Sequence, residues 1–326
     1  MLSSRALAAV RSRTLAGGVA SVLVLVLAAC SSGRPVSAPT TTSGPTTTSG
    51  PPSTSVAPTT APVTTASVPA GAGQPSAAKP CAGTAPPATY RHVVWIVMEN
   101  RALDEVAGSG ESPFLASLAA RCGLATDYSG VAHPSLPNYI ALTSGSTHGI
   151  TDDAGPASHP VAGPSLFSLL GPDWRSLEES MPTDCDRSGA GEYATRHNPA
   201  VYYTGLGNAC GTQDVPLASV PDLSARFTFI TPNLCDDMHD CSTATGDRWL
   251  SGEVPKILNS AEYRGGATAL FITWDENDAG GSLVPTYVVA PSVRPGTHSG
   301  ASYNHYSLLR TTEELLGLTP LLGSAA

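Results

Sequence analysis

The chemistry open to this sequence centres on two pairs of oxygen donors and one serine. Glu99-Asn100 follows the apolar run His92 to Met98, and Asp275-Glu276 follows the equally apolar Ala269 to Trp274. Hard divalent cations take carboxylate and amide oxygens. Either pair alone reads as readily as a polar turn. Together they ask for more, because adjacent acids at the end of a buried strand repel one another unless something cationic lies between them. Glu99, Asn100, Asp275 and Glu276 are therefore expected to hold one divalent metal ion. Three carboxylates and an amide favour Ca²⁺, Mg²⁺ or Mn²⁺, with Zn²⁺, which usually recruits histidine, also open.

The serine is Ser135, in His133-Pro134-Ser135-Leu136-Pro137-Asn138-Tyr139. Proline suits the first helical turn, and backbone N–H groups at a helix start converge on an anion. A structural N-cap needs only Ser135 and leaves His133 and Asn138 unexplained. A phosphoryl-transfer site uses them: Ser135 attacks, Asn138 donates to a phosphate oxygen, and His133 stands on the substrate side. The cluster Asn233 to Cys241 adds Asp237, His239 and Asp240. An acid and an imidazole two residues apart can hydrogen-bond phosphate and protonate a leaving alkoxide, so Asp237 and His239 are catalytic candidates and Asp240 a substrate contact. His305, at the start of the last helix, is a further substrate contact.

These residues need a scaffold. Short apolar runs at residues 92–98, 227–231, 269–274 and 287–290 read as strands buried on both faces. Helical patterns lie between them at 113–122, 137–143, 246–259 and 305–316. The alternation predicts an α/β sheet with helices on its faces and ligands outside the carboxyl ends of the strands. Residues 149–211, rich in Gly, Pro and Asp, are expected to form long loops or a cap.

Residues 1–29 read as a secretion signal, with Arg5, Arg11 and Arg13 ahead of an apolar stretch too short to span a bilayer comfortably. It closes with Leu27-Ala28-Ala29-Cys30, which resembles a bacterial lipobox, so Cys30 is the expected lipidation site of an exported cell-membrane lipoprotein. Residues 30–80, almost wholly Ser, Thr, Pro, Ala, Gly and Val, read as a disordered tether, and 81–326 as one catalytic domain. All 26 acidic residues lie beyond residue 98, whereas five of the 17 Lys and Arg residues lie before residue 81. Such a domain repels nucleic acid and anionic headgroups, so a phosphate site within it must be locally positive. Apart from Cys30, six cysteines remain, an even number suited to an oxidising compartment. Six allow fifteen pairings; proximity favours Cys81-Cys122, Cys185-Cys210 and Cys235-Cys241.

In this order the motifs resemble the bacterial phosphoesterase family that includes acid phosphatases and phospholipases C, relatives of the alkaline-phosphatase fold. The resemblance runs from about His92 to about Leu318. It implies a three-layer αβα sandwich with a loop-rich cap insertion. It also implies that Glu99, Asn100, Asp275 and Glu276 bind metal with Ser135, that His239 and His305 contact phosphate, and that Asp237 donates a proton. The chain departs from the family pattern at Ala102-Leu103-Asp104, where Ser-Phe-Asp is usual, and at Tyr306, where Ser usually follows the last histidine. Asn277 replaces a common histidine, and a further histidine is missing from Gly280 to Val284. These last departures move the expectation from a phospholipase C towards a phosphomonoesterase working through a phosphoserine. A phospholipase C-type phosphodiesterase is the alternative, followed by a non-catalytic lipoprotein that binds a phosphorylated ligand. The expected partner is a small phosphate ester and the expected state a monomer, touching membrane only through the anchor.

Overall fold

The computed structural model describes residues 74–277 and 283–326. The expected signal, Cys30 and the tether up to residue 73 lie outside them. Residues 74–80, read as the tether's end, instead lie against the domain, with the Tyr263 hydroxyl donating to the Pro80 carbonyl at 2.7 Å.

Ten strands are described: β1 His92–Met98, β2 Gly123–Ala125, β3 Tyr128–Ser129, β4 Trp174–Glu178, β5 Asp214–Pro216, β6 Phe227–Thr231, β7 Thr268–Trp274, β8 Thr286–Val289, β9 Thr297–Ser299 and β10 Tyr303–Asn304. Eight of them form one sheet in the order β5-β4-β6-β1-β7-β8-β2-β9, and β10 pairs with β3 apart from it. Within the large sheet only β8 runs against its neighbours. The central strands are the apolar ones: Val93 to Met98 and the whole of β7 are buried, as a sheet covered on both faces requires.

The helices are α1 Leu103–Ala107, α2 Pro113–Arg121, α3 Ser135–Ser144, α4 Leu166–Leu169, α5 Cys210–Gln213, α6 Thr243–Asn259, α7 Ala261–Arg264 and α8 His305–Leu316. Helix α3 packs on α8, and α2 on α6, giving the helical layers of an αβα sandwich. Burial drives this packing, and single polar contacts fix its register. Trp95 Nε1 donates to Thr312 Oγ1 at 3.0 Å, tying α8 to β1, and Asp247 of α6 accepts from the Phe114 and Leu115 amides at the start of α2.

The stretch expected to be loops and cap is only partly so. It holds turns and 3-10 segments at 195–197, 199–202 and 204–209, but it also supplies β4, which lies in the sheet beside β6. Trp-Arg-Ser-Leu-Glu does not read as a buried strand because three of its five residues are polar, although the fold buries Ser176 and Glu178. Ser176 Oγ donates to Glu178 Oε1 at 2.7 Å, with both side chains buried. The disulfides are Cys81–Cys122, Cys185–Cys210 and Cys235–Cys241, the pairing that proximity favoured.

Candidate active site

Register brings the two acidic pairs together. Met98 of β1 pairs with Trp274 of β7, so Glu99 and Asp275 leave the sheet side by side. The Asp275 amide donates to the Met98 carbonyl at 3.0 Å. Asn100 has φ 51°, a left-handed conformation that asparagine tolerates better than most residues, and its amide donates to Asp275 Oδ1 at 3.3 Å. Side chains at a strand end point alternately to opposite sides. Asp275 therefore turns towards Glu99, while the Glu276 carboxylate is paired with His133 Nδ1.

Ser135 is the first residue of α3, and its hydroxyl donates to Glu99 Oε2 at 3.0 Å. The other Glu99 oxygen accepts from the Tyr139 hydroxyl at 2.5 Å, one helical turn further on. The loop that delivers Ser135 is held by Asn138. Its Oδ1 accepts from the Val131 and Ala132 amides, and its Nδ2 donates to the Ala132 and Pro134 carbonyls. Gly130 lets this loop approach β7, since a Cβ there would lie 2.7 Å from the Asp275 carbonyl oxygen. Asp153, from the cap region, accepts from the Leu136 amide at 2.9 Å and caps α3.

Asp237 reaches the same point from beyond β6; its carbonyl accepts from the Glu99 amide at 2.9 Å and its Oδ1 from the His239 amide at 2.7 Å. Glu99, Asp237 and Asp275 are each 0 % exposed. Burial is the largest cause raising all three pKa values, and mutual repulsion adds to it for Glu99 and Asp275. Glu99 moves well above the usual carboxylate range, Asp237 to about 8 and Asp275 to about 7. His197 is wedged among them, with Nε2 3.3 Å from Glu99 Oε1 and Nδ1 3.2 Å from Asp237 Oδ2. Its ring is stacked on Tyr139 at 5.3 Å. Burial holds it well below the usual histidine range and hence neutral.

Asp237 Oδ2, Asp275 Oδ2 and His197 Nε2 are buried with no hydrogen-bond partner. Three buried carboxylates, two of them with an unpartnered oxygen, form a donor set that fits a divalent cation. Glu99, His197 and His239 also offer ligand atoms within 4.8 Å of one another, which adds imidazole to the available chemistry.

The sequence profile of the Phosphoesterase family matches residues 109–319. The chain belongs to that family. It is accordingly a phosphoesterase, a hydrolase of phosphoric ester bonds with the expected sandwich fold. A phosphatidylinositol-3-phosphatase of Mycobacterium tuberculosis is 35% identical over 256 residues, which cover 74% of this chain and 82% of that protein. A probable acid phosphatase of Kluyveromyces lactis is 26% identical, over 69% of this chain and 58% of its own length. Against the fungal relatives the chain therefore spans a little over half their length. Among solved structures, a lipoteichoic acid synthase from Listeria monocytogenes superposes with TM-score 0.51 at 11% identity, covering 73% of this chain and 74% of that one. An alkaline-phosphatase-superfamily protein from Vibrio parahaemolyticus gives 0.50, also at 11%, over 77% and 71%. These likenesses show the fold alone. The three disulfides are compatible with export of this phosphoesterase.

Several expected roles sit differently in the structure. Asn138, expected to donate to phosphate, spends its amide on the Ser135 loop and is 0 % exposed. His305, expected on phosphate, is buried and held at a pKa of about 4. Its Nε2 donates to the Asp275 carbonyl at 2.6 Å and its Nδ1 accepts from the Tyr128 hydroxyl at 3.0 Å. Asp237 lies on the floor of the site rather than at its mouth. His239 and Asp240 do reach the mouth, joined Nδ1 to Oδ1 at 2.7 Å. Arg196 donates to His239 Nε2 at 3.1 Å. Arg196 and His197 are the residues that sequence reasoning missed. An Arg-His pair inside a Gly- and Pro-rich stretch of an acid-rich domain was the available signal.

Proposed function

We propose that this phosphoesterase is a metal-dependent phosphomonoesterase in which Ser135 is the nucleophile and a phosphoserine the intermediate. The observation that carries the reading is the Ser135 hydroxyl, 3.0 Å from Glu99 Oε2 at the edge of three buried carboxylates. Glu99, Asp237 and Asp275 would hold the cation, with Asn100, Glu276 and His197 flanking. When bound, it supplies positive charge against the phosphoryl oxygens and favours the ionised serine hydroxyl.

Ser135 Oγ attacks phosphorus in line and passes its proton to Glu99 Oε2. Arg196 presents positive charge, and His133 a ring nitrogen, to the phosphoryl oxygens at the mouth. His239, oriented by Asp240 through Nδ1, acts as the acid: once Arg196 turns from its Nε2 to the phosphoryl oxygens, that nitrogen carries a proton to the departing alkoxide oxygen. The P–O bond to the alcohol breaks as the bond to Ser135 forms. Water then attacks the phosphoserine and the neutral His239 accepts its proton; the bond from Ser135 Oγ to phosphorus breaks, Glu99 Oε2 returns its proton to Ser135 Oγ, and inorganic phosphate leaves. His305 and Asn138 act as positioning residues, one on the Asp275 backbone and the other on the Ser135 loop.

The test is hydrolysis of p-nitrophenyl phosphate with and without a chelator, for the native chain and Ser135→Ala. The variant should lose at least about 10³-fold in kcat while keeping its thermal midpoint, and acid-quenched native enzyme should carry phosphate on Ser135 by mass spectrometry. Full activity in Ser135→Ala sinks the mechanism. The substrate panel should include a lipid phosphomonoester, since the mycobacterial relative is named for one, and a choline phosphodiester, whose preference would favour the phospholipase C reading. Phosphate binding without turnover of any of these would favour a binding lipoprotein.

A further inference from the structure

Away from the catalytic cluster, a groove of about 350 Å³ runs between α8 and the outer strands of the sheet. Its floor is built from residues that alternate onto one sheet face: Ala269 and Phe271 of β7, Thr286, Val288 and Ala290 along β8, and Ala125 of β2. The small side chains leave the space between this face and α8. Val288 is accordingly part-exposed although it lies on an interior strand. Ser307 and Thr311 of α8 form one wall, Thr297 and Ser299 of β9 the other. Tyr90 and Ser292 close one end, Tyr128 and Tyr303 the other.

Two properties define what can lie there. No charged residue lines the groove among the described residues. Its polar atoms are moreover already satisfied within the protein. Tyr90 is bonded to Ser292 at 2.6 Å, Thr286 to Thr273 at 2.7 Å and Tyr128 to His305 at 3.0 Å. Thr311 donates to the Ser307 carbonyl at 2.7 Å and Thr297 to the Arg294 carbonyl at 2.8 Å. A polar ligand would exchange its hydration for nothing, whereas an apolar one gains burial and contact.

Shape selects among apolar occupants. Four residue steps along β8 give a length of about 13 Å. That length and volume are too small for a peptide helix about 10 Å across, and they match one extended hydrocarbon chain of roughly ten methylenes. A second copy of this chain is a poor fit. The large hydrophobics exposed among the described residues are Val220, Leu283 and Tyr303, single side chains that cannot fill the groove.

We propose that the groove is an acyl-chain site, which seats one chain of a single-chain amphiphile and leaves its headgroup in water at the rim. It stands apart from Ser135, and the phosphomonoesterase reading does not depend on it.

The experiment is calorimetric titration of the full chain with lysophosphatidylcholines of about six to sixteen carbons, each below micellisation. Affinity should tighten about fourfold per methylene and then level off near ten to twelve carbons, where the chain outruns the groove. Val288→Trp, which fills the floor, and Thr311→Asp, which charges the exposed wall, should each weaken binding at least about tenfold. Both should leave p-nitrophenyl phosphate hydrolysis unchanged. If Val288→Trp fails to fold, Thr311→Asp carries the test. No binding, tightening with no plateau, indifference to Thr311→Asp, or loss of binding on self-association in ultracentrifugation would each overturn the proposal.

Discussion

On the proposed metal-dependent reading, stripping the cation from the Glu99, Asp237 and Asp275 cluster should leave a protein that is less stable the higher the pH. Asp275 titrates at about 7 in the folded chain against about 3.9 unfolded. At about 1.4 kcal/mol per unit, ionising it in place costs up to about 4 kcal/mol. Relaxation and water entry reduce this, and roughly 2 kcal/mol is a working figure. Between about pH 4 and pH 7 the metal-free folded state holds a proton on Asp275 that the unfolded chain has released. Stability therefore falls as pH rises through that window. Asp237, at about 8, extends the window upward. In a domain of this size 1 kcal/mol moves the midpoint by about 2–4 °C, so the chelated enzyme should lose on the order of 5 °C between about pH 5 and pH 8. Asp214, raised by burial to about 7, and Glu178, also raised by burial, contribute a slope of the same sign. They lie outside the cluster, so the relevant quantity is the difference between chelated and Mn²⁺-loaded scans. Differential scanning calorimetry across that range, with both forms in parallel, reads it directly. Identical slopes would refute the assignment of Glu99, Asp237 and Asp275 to a cation.

Two substitutions probe how the site is held together. Asn138→Ala strips four hydrogen bonds from a half-buried loop and leaves the Val131 and Ala132 amides to water; it should cost about 1–3 kcal/mol in denaturant unfolding and lower kcat at least about tenfold. A variant with native stability and native kcat would show that the loop needs no such tether. His197→Ala should weaken Mn²⁺ binding about 10–100-fold by calorimetry while Ser135 stays in place, and unchanged affinity would remove His197 from the metal environment.

What the sequence disclosed follows from how local each signal is. Residues 92–98 and 227–231 are continuous apolar runs bounded by polar residues, so their strand limits and the donors that follow them were readable. The disulfides were accessible because each closes a short separation, 41 residues at most. β4 was not, because three of its five residues are polar and nothing local signals that Ser176 and Glu178 are buried. His197 was hidden for a similar reason: its neighbours Glu99, Tyr139 and Asp237 come from three other segments. Asn138 was visible as a candidate, but its task depends on loop geometry. An amide that can donate to a phosphate can as well donate to two carbonyls, and only the backbone path from residue 131 to 134 decides between them.

Every residue of α3, from Ser135 to Ser144, is buried. A helix with no watered face has no position where a new side chain can be tried without disturbing something packed against it. Drift in this lineage is therefore expected to leave α3 nearly fixed, while substrate preference changes through the turns at 149–211 that border Arg196 and Asp153. Laboratory evolution aimed at new esters would do best with libraries confined to those turns, holding the helix that carries Ser135 constant.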